Sequence, residues 1–487
     1  MKNIIIFLLI LSALPKAQGQ SITARLLDAD NGEPIPFATV ITGADRGTIT
    51  NEEGYMNLDL TSLEGSSVRL SCMGYESMEV DVAALRSGGV IRLKPAPIQL
   101  NEVRLGGGIP EAEEIIREVR RNLDRNYKAN ASYQLFYRQS DFMNFDQLDM
   151  ELEKASDLKR SELIKAQNNL KAFSEYIRDS RAVKFLDFNG QFQKEPDTSL
   201  LQVDRVTELL DAKKDFSMEK LQERAQKIIL SHLDSTRTYK LKTGVFTVED
   251  SISMNDEFGE NHSTDSIDVS SLKKRIANVL SVGGLRDGQR LFEFLDGEAY
   301  RYDFLKPTYF DGNYVYALSF RPRKRKAKYS GTLYVDAATF AILKADYRYA
   351  EGRQGEKVNL KLLLGIKYVE NMDRGTVIFR RSQQGRYHPY YIHKEYGNYI
   401  YLHRSLKFIE NSPTNKKVRF DFLMEGEVRE KVSFLIRHDP DSNSKEQLSE
   451  GPEKIKIRKL ERYEPTIWQD TEIIAPLEEM KNFSVAN

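Results

Sequence analysis

Short alternating apolar and polar runs, separated by turn residues, fill the stretch between residues 31 and 103. The turn signals recur at close intervals: Asn31-Gly32, Gly43, Glu53-Gly54, Glu64-Gly65, Gly74 and Gly88-Gly89. Alternation places one side of each strand in a core, and glycine-containing turns at this spacing connect short strands. The stretch therefore predicts a small all-β sandwich, which is a binding or scaffolding unit with no chemistry of its own.

Four motifs in this stretch resemble segments of one domain family. Residues 31–38 (NGEPIPFA) are similar to the first hairpin of the carboxypeptidase regulatory-like, or transthyretin-like, domain, and residues 48–56 (TITNEEGYM) to its second hairpin. Residues 73–76 (MGYE) resemble its Gly-Tyr segment, and residues 100–103 (LNEV) resemble the exit segment of secreted Bacteroidetes members. The resemblance implies a regulatory-like β-sandwich over residues 20–105, without peptidase activity.

The first nineteen residues have the pattern of a secretory signal. Lys2 precedes an apolar run from Ile4 to Leu14, and Ala17-Gln18-Gly19 supplies small residues suited to signal peptidase. The run is too short for a stable membrane-spanning helix, which favours a signal peptide over residues 1–19 and a mature start near Gln20. An uncleaved N-terminal anchor is the alternative. No cysteine follows the run, so we expect an exported protein, periplasmic or outer-membrane-associated, without a lipoprotein anchor.

Charge and cysteine content limit the classes of partner. Lys+Arg and Asp+Glu both number 72, and the resulting neutral balance gives no overall attraction to nucleic acid. Cys72 is the single cysteine, which excludes an intramolecular disulfide and a thiolate zinc site. After the signal, no run approaches the roughly 18 apolar residues of a transmembrane helix. We expect no cofactor and no nucleic acid partner, and the sequence leaves the oligomeric state open.

The segment from residue 111 to residue 240 is predicted to be helical with one strand. It follows a glycine-rich linker over residues 106–110. Residues 131–142 alternate and predict the strand. Residues 145–177 keep a three-to-four-residue apolar spacing, which favours one long helix or a helical hairpin turning near Lys159. A second helical patch is predicted over residues 203–233.

From residue 241 to residue 487 the chain consists of alternating runs of strand length. Their order predicts an antiparallel meander that must curl to protect its edges, with a mobile polar loop near residues 439–454. Residues 329–336 (YSGTLYVD) and 340–342 (FAI) resemble a hairpin of the lipoprotein-carrier-like half-barrels. The predicted fold class is α+β and mostly β, with an N-terminal antiparallel β-sandwich, a helical segment, and a large curved antiparallel sheet, or half-barrel, with packed helices.

No motif in the sequence indicates a catalytic or metal centre. Gly-x-Ser-x-Gly, His-Glu-x-x-His and glycine-rich phosphate loops are absent. The histidines that raise the question of a metal site are His388, His393, His403 and His438. With a two-residue turn at Gly397-Asn398, they would not converge, because His393 would point away from the face shared by His388 and His403. We therefore predict no catalytic residue and no metal site.

Two groups of residues are candidate contact sites. Alternate strand tyrosines share one face and form a candidate wall for an apolar ligand, although core packing also explains such rows: Tyr314, Tyr316, Tyr334, Tyr390 and Tyr391. A cluster of cations between two strands is a candidate contact for an anionic partner such as lipid headgroups, or a solubilising edge: Arg321, Arg323, Lys324, Arg325, Lys326 and Lys328.

These observations favour a non-enzymatic exported envelope protein with a binding or scaffolding role. It would carry an apolar ligand or lipid on the curved sheet, or dock an outer-membrane protein through the sandwich. An envelope hydrolase, active on peptide or glycan through an unrecognised active site, is the alternative.

Overall fold

The computed structural model describes residues 21–43, 46–60, 63, 65–85, 89–96, 110–127, 132–179, 182–194, 198–211, 237–243, 246–253, 265–437, 448–449, 451–468, 471 and 473–484. The predicted signal segment, most of the glycine-rich linker and most of the polar loop near residues 439–454 lie outside these residues. Within the described ranges, no helix combines the length and the apolar character needed to cross a membrane.

Seven short strands form the N-terminal sandwich: β1 (Ser21–Asp28), β2 (Thr39–Ile41), β3 (Gly47–Ile49), β4 (Tyr55–Asp59), β5 (Ser67–Ser71), β6 (Met78–Asp81) and β7 (Val90–Leu93). One sheet has the order β4-β1-β7 and the other β3-β2-β5-β6. The β1–β7 pair is parallel, and the other pairs are antiparallel. Leu26, Val40 and Leu70 are fully buried between the sheets, so the predicted β-sandwich is confirmed.

One turn of the sandwich shows why its glycine is needed. Gly54 has a φ of +78°, and a Cβ atom there would lie 2.6 Å from the carbonyl oxygen of Leu26. A residue with a side chain would be strained by this φ and would collide with β1. The Glu53-Gly54 turn signal therefore marks a real constraint.

The rest of the described chain contributes seventeen strands: β8 (Ser132–Ala155), β9 (Ala182–Lys194), β10 (Ser199–Leu210), β11 (Thr238–Thr243), β12 (Phe246–Ser253), β13 (Ser266–Asp268), β14 (Tyr300–Phe304), β15 (Thr308–Phe310), β16 (Asn313–Pro322), β17 (Tyr329–Asp336), β18 (Ile342–Tyr349), β19 (Lys357–Leu360), β20 (Ile366–Arg381), β21 (Tyr387–Glu410), β22 (Lys417–Ile436), β23 (Lys454–Lys456) and β24 (Arg458–Leu460). Fifteen of them form one open sheet, whose main path is β14-β16-β17-β18-β20-β21-β22-β8-β9-β10-β24. Strands β13 and β23 pair separately. The large, mostly antiparallel sheet is thus confirmed.

The helices of the described chain are few: α1 (Val82–Leu85), α2 (Ala112–Arg121), α3 (Leu123–Asn126), α4 (Arg160–Asp179), α5 (Val269–Val282), α6 (Arg290–Glu293), α7 (Lys361–Leu364) and α8 (Glu478–Lys481), with a 3-10 turn at Pro465–Trp468. Helix α2 follows Pro110 and lies in the segment predicted to be helical. Helix α4 accounts for only the second half of the helix expected over residues 145–177.

Two of the helical predictions are wrong, each for a definable reason. Residues 145–155 belong to strand β8, where Leu148, Met150 and Leu152 all enter one core. A four-residue apolar spacing fits a strand as well as a helix, because four is a multiple of the strand period. Residues 203–210 belong to strand β10, where a β-bulge between Val203 and Arg205 shifts the alternation and imitates a helical spacing. The rest of that patch, residues 212–233, lies outside the described residues.

The large sheet has two different faces, which we call the helix face and the sandwich face. On strand β22, Val432 and Phe434 point to the helix face and Leu435 to the sandwich face. Helices α2 and α5 fill the helix face with apolar side chains: Ile115, Ile116, Val119, Leu272, Ile276 and Val279. Helix α4 packs on the far ends of the long strands through Leu170 and Ile177. Most of the helix face is therefore solid core.

The N-terminal sandwich and the C-terminal tail cover the sandwich face together. Phe37 and Ile49 pack there with Tyr391, and the Tyr390 hydroxyl donates to the carbonyl oxygen of Thr48 at 2.9 Å. The tail adds Trp468, which is 2% exposed. The two β units are in direct contact.

A buried ion pair fixes the tail to the sheet. Arg138 and Asp187 lie on neighbouring strands and bond in a bidentate manner, at 2.9 and 2.7 Å, with side chains only 4% and 3% exposed. Arg138 also donates to the carbonyl oxygens of Ile474 and Ala475. The amide of Asn51 donates to the carbonyl oxygens of Ala475 and Pro476. Sheet, tail and sandwich thus share one hydrogen-bonded junction.

Candidate functional site

A cleft of about 540 Å³ opens where helix α5 ends above the sheet. Its walls come from α3, from the C-terminal end of α5 and the loop after it, and from the ends of strands β8, β9, β10, β20 and β21. The lining residues are Leu123, Asp124, Tyr127, Tyr133, Phe192, Lys194, Thr198, Ser199, Ala277, Leu280, Ser281, Gly283, Gly284, Leu285, Arg286, Gln289, Phe379, Tyr387 and Pro389. This volume is within the range that holds small-molecule ligands in proteins.

Three aromatic rings form one wall of the cleft. The ring of Tyr127 lies 5.3 Å from that of Phe379, edge to face, and 6.1 Å from that of Tyr387. The Tyr127 hydroxyl donates to the carbonyl oxygen of Ile342 at 3.0 Å, so the ring is held in place. Burial raises the pKa of Tyr127 and of Tyr387 above the ordinary tyrosine value. The wall therefore stays uncharged at neutral pH.

A second aromatic pair stands on strands β8 and β9. Tyr133 and Phe192 are cross-strand partners with ring centroids 6.4 Å apart and stacked. Phe192 is buried, whereas Tyr133 is half-buried and accessible to the cleft. Burial raises the pKa of Tyr133 to about 12, although the nearby charge of Arg286 acts in the opposite direction. Its hydroxyl is thus a neutral hydrogen-bond donor.

Two glycines set the position of the third wall. Helix α5 ends at Val282, and Gly283 and Gly284 follow it. A Cβ atom on Gly283 would lie 2.9 Å from Cδ1 of Ile392, and one on Gly284 would lie 2.1 Å from Cδ of Gln289. The chain therefore passes close to the Ile392 side chain of the sheet and to the Gln289 side chain of its own loop.

The rim of the cleft carries more positive than negative charge. Lys194 and Arg286 are exposed there, and no described residue forms an ion pair with either of them. Asp124 is the single carboxylate among the described lining residues. The site therefore combines aromatic and aliphatic walls with two exposed cations, an arrangement that suits an apolar molecule with a negatively charged end.

The tyrosines predicted from the sequence do not line this cleft. Tyr314 and Tyr316 share a face, as predicted, with ring centroids 5.5 Å apart. Tyr334 stands on the opposite face, where the ammonium of Lys344 lies 5.3 Å from its ring centroid. These three residues are partly buried in tyrosine and lysine contacts.

Tyr390 and Tyr391 are interface residues between the sandwich and the sheet. Each is 1% exposed, so neither is a wall of an accessible site. Neighbouring strand residues normally point to opposite faces, but strand β21 has a bulge here: Tyr391 pairs with Ile378 and Pro389 with Phe379. The extra residue turns both rings toward the sandwich, which no sequence pattern announced.

The cationic hairpin joins strands β16 and β17. Its six cations are exposed: Arg321, Arg323, Lys324, Arg325, Lys326 and Lys328. Arg321 pairs with Asp303 at 3.1 Å, and Lys324 pairs with Glu298 at 2.7 Å. Part of the positive charge is thus neutralised within the chain, and contact with an anionic partner stays a prediction.

The histidines among the described residues all lie on strand β21: His388, His393 and His403. The predicted turn at Gly397-Asn398 is wrong, because both residues lie inside this continuous strand. His403 is exposed beside Asp421, with Nε2 2.8 Å from Oδ2. His438 is outside the described residues.

One of these histidines meets two carboxylates at the junction of sandwich and sheet. His393 Nε2 lies 3.1 Å from Oε1 of Glu52 and 3.4 Å from Oε1 of Glu395. One ligand atom from each residue lies within 4.8 Å of the others, and these side chains are ligand types for Zn²⁺. No local pattern indicates this cluster, because Glu52 belongs to the N-terminal sandwich, whereas His393 and Glu395 lie on strand β21.

Two cations already neutralise these carboxylates. Lys431 Nζ is 2.7 Å from Oε2 of Glu52, and Arg374 donates to both carboxylate oxygens of Glu395 at 2.8 and 2.7 Å. Burial raises the pKa of Glu395, but hydrogen bonds from His393 and Arg374 and the charge of Lys431 outweigh it and bring the pKa to about 2. A divalent ion would have to displace these partners, so we assign the cluster to the ion-paired junction between sandwich and sheet.

Residues 22–105 match the family model described as the CarboxypepD_reg-like domain. The match confirms the predicted N-terminal regulatory-like domain, and it covers the sandwich rather than the cleft. No curated protein and no solved structure matches the chain. The function of the large sheet must therefore be argued from its own residues.

Proposed function

We propose that this chain is a non-enzymatic, exported envelope protein that binds an amphipathic ligand, with an apolar body and an anionic end, in the cleft below helix α5. The observation that carries the proposal is the cleft itself. The aromatic wall of Tyr127, Phe379 and Tyr387 suits an apolar chain or ring. Lys194 and Arg286 at the rim suit a carboxylate or a phosphate.

The composition of the cleft supports binding rather than turnover. General acid–base catalysis needs a positioned titratable side chain, most often a histidine or a carboxylate, within hydrogen-bond reach of the reacting group. The described lining residues offer one carboxylate, Asp124, and no histidine or cysteine. An envelope hydrolase acting here would need groups from elsewhere.

Export is proposed from the N-terminal sequence and from the domain resemblance. The short apolar run after Lys2 suits a cleaved signal, and secreted Bacteroidetes proteins carry the resembling domain. A role for the sandwich as a freely swinging adaptor is less well supported, since Thr48, Asn51 and Glu52 bond to the sheet and the tail. A partner would have to use the remaining surface of the sandwich.

The test is a titration of the purified protein with a fluorescent long-chain fatty acid and with the corresponding alcohol. Ala277 lines the cleft from an exposed position on α5, so Ala277→Trp should fill the cleft and leave the core intact. Asn278→Trp, at an exposed position on the same helix outside the lining, is the matched control. We expect Ala277→Trp to weaken binding of both probes at least about tenfold, a loss of about 1.4 kcal/mol, and Asn278→Trp to have no effect.

The anionic end is tested separately by a Lys194→Gln, Arg286→Gln double variant. We expect weaker binding of the acid, by about tenfold or more, and unchanged binding of the alcohol. Equal loss for both probes would refute the role of the two cations. No binding of either probe to the wild-type protein would refute the proposed function.

A further inference from the structure

Among the residues that the structure describes, the most exposed group of large apolar side chains lies at the tip of the β19–β20 hairpin. Helix α7 forms this tip, and its Leu362 and Leu363 have relative exposures of 101% and 82%. Val358 and Leu360, on the strand that leads to it, are 44% and 37% exposed. We call residues 358–363 the leucine tip. Isolated exposed leucines are ordinary, but four large apolar residues in six positions are not.

The backbone holds the leucine tip in this exposed position. Strand β19 pairs with β20 in regular register, from Lys357–Val369 to Leu360–Ile366. Gly365 ends the helical turn with a φ of 61°, and a Cβ atom there would lie 2.1 Å from the carbonyl oxygen of His403. The backbone N–H of His403 donates to the carbonyl oxygen of Gly365 at 2.8 Å. The projection is therefore a built feature.

The charged side chains of the segment that carries the leucine tip are all cationic. Residues 357–367 (KVNLKLLLGIK) contain three lysines and no acidic residue. The ammonium of Lys361 lies 3.6 Å from the ring centroid of Tyr401, and that of Lys367 lies 4.6 Å from the ring centroid of Tyr399. Leucines at the front with lysines and tyrosines behind them form the pattern of segments that enter the interface of a bilayer.

We propose that the leucine tip inserts into the headgroup region of an anionic lipid bilayer. Leu362 and Leu363 would enter the boundary between headgroups and acyl chains. Lys357, Lys361 and Lys367 would remain at the level of the lipid phosphates, where each cation adds to the attraction of a negatively charged surface. A bilayer needs no complementary groove to accept two projecting side chains, and the absence of acid over residues 357–367 matches an anionic surface.

The proposal is tested by flotation of the exported protein with vesicles of phosphatidylcholine alone and of phosphatidylcholine with a third phosphatidylglycerol. Mass spectrometry first verifies that the chain starts near Gln20, so that the apolar run after Lys2 cannot bind the vesicles. The test variant is Leu362→Gln, Leu363→Gln. The matched control is Val90→Gln, Ile164→Gln, which removes two other apolar side chains that are 56% and 49% exposed.

We expect the wild type and the control to float with the anionic vesicles, and the leucine variant to lose at least about tenfold in vesicle affinity. In a Leu362→Trp variant, the fluorescence of the new tryptophan should shift to the blue on vesicle binding and should be quenched by spin-labelled lipid. The native Trp468 is buried, so its fluorescence should stay constant and not obscure this signal. Equal binding of wild type and leucine variant, or no vesicle binding at all, would overturn the proposal. Failure of the Leu362→Trp probe to be quenched on bound vesicles would likewise exclude insertion.

Discussion

Replacement of Arg138 by methionine is expected to destabilise the protein severely, because it breaks the junction of sheet and tail. Methionine matches much of the arginine volume, so the loss is mainly electrostatic. Asp187 would remain as a buried carboxylate without its partner, and the carbonyl oxygens of Ile474 and Ala475 would lose their donor. Removing one member of a buried ion pair costs about 3–5 kcal/mol, so we expect a loss of about 4 kcal/mol.

The control for this substitution is an exposed pair of the same chemistry. Arg321 and Asp303 lie 3.1 Å apart with side chains 60% and 51% exposed, so Arg321→Met should cost about 0.5 kcal/mol or less. A double variant, Arg138→Met with Asp187→Leu, should cost clearly less than the sum of the single variants, because it leaves no unpaired charge.

Guanidinium unfolding followed by tryptophan fluorescence measures these differences. Trp468 is the single tryptophan, and its ring packs edge to face on Phe136, with ring centroids 5.5 Å apart. Both rings belong to the core cluster that also contains Ile474 of the junction. A cost of Arg138→Met no greater than that of Arg321→Met, or a double variant that costs the full sum of the single variants, would refute the role of the buried ion pair.

Three further predictions concern separate parts of the molecule. The folded-state pKa of Glu395 is about 2, below the ordinary glutamate value of 4.5. The ionised carboxylate therefore stabilises the fold by about 3 kcal/mol above pH 4.5, and this stabilisation is lost as the pH falls toward 2. Glu395→Gln should remove this part of the acid sensitivity, and a stability–pH curve that Glu395→Gln leaves unchanged would contradict the prediction. Burial raises the pKa of the Cys72 thiol to about 11, so labelling by a thiol reagent at pH 8 should be about a hundredfold slower in the folded than in the unfolded protein, whereas equal rates would exclude the burial. Gly331→Ala should lower the free energy of unfolding by about 2 kcal/mol in chemical denaturation, because the new Cβ would lie 1.9 Å from the carbonyl oxygen of Asp346. Gly297 has open space around it, so Gly297→Ala should be nearly neutral. Equal effects of the two substitutions would contradict the close packing at Gly331.

The N-terminal sandwich was predictable because its signals are local. Gly54 has a positive φ that its own turn requires, and the alternation in β1 reports burial directly. The large sheet was predictable as a class, since most of its strands alternate. The sequence did not show which segments belong to this sheet. Leu148 and Leu152 fit the helical and the strand period equally, and a bulge near Arg205 breaks the alternation of apolar and polar residues.

The candidate site was not predictable from local pattern. The aromatic wall joins Tyr127, Phe379 and Tyr387 from three separate segments, and nothing near Tyr127 in the sequence specifies its neighbours. Gly283 approaches the Ile392 side chain of the sheet, but a glycine pair after a helix does not by itself indicate a cleft. The candidate tyrosine rows of β16 and β21 were conspicuous in the sequence, but they pack against other parts of the fold and do not line the cleft.

The most direct test of the central claim is to identify what co-purifies with the protein from its native cells. The protein is purified without detergent exchange, and native mass spectrometry followed by organic extraction is applied to the wild type and to Ala277→Trp. The account predicts about one bound anionic amphiphile per wild-type chain and its loss in Ala277→Trp. A wild-type chain without bound ligand, or equal amounts on both proteins, would contradict it.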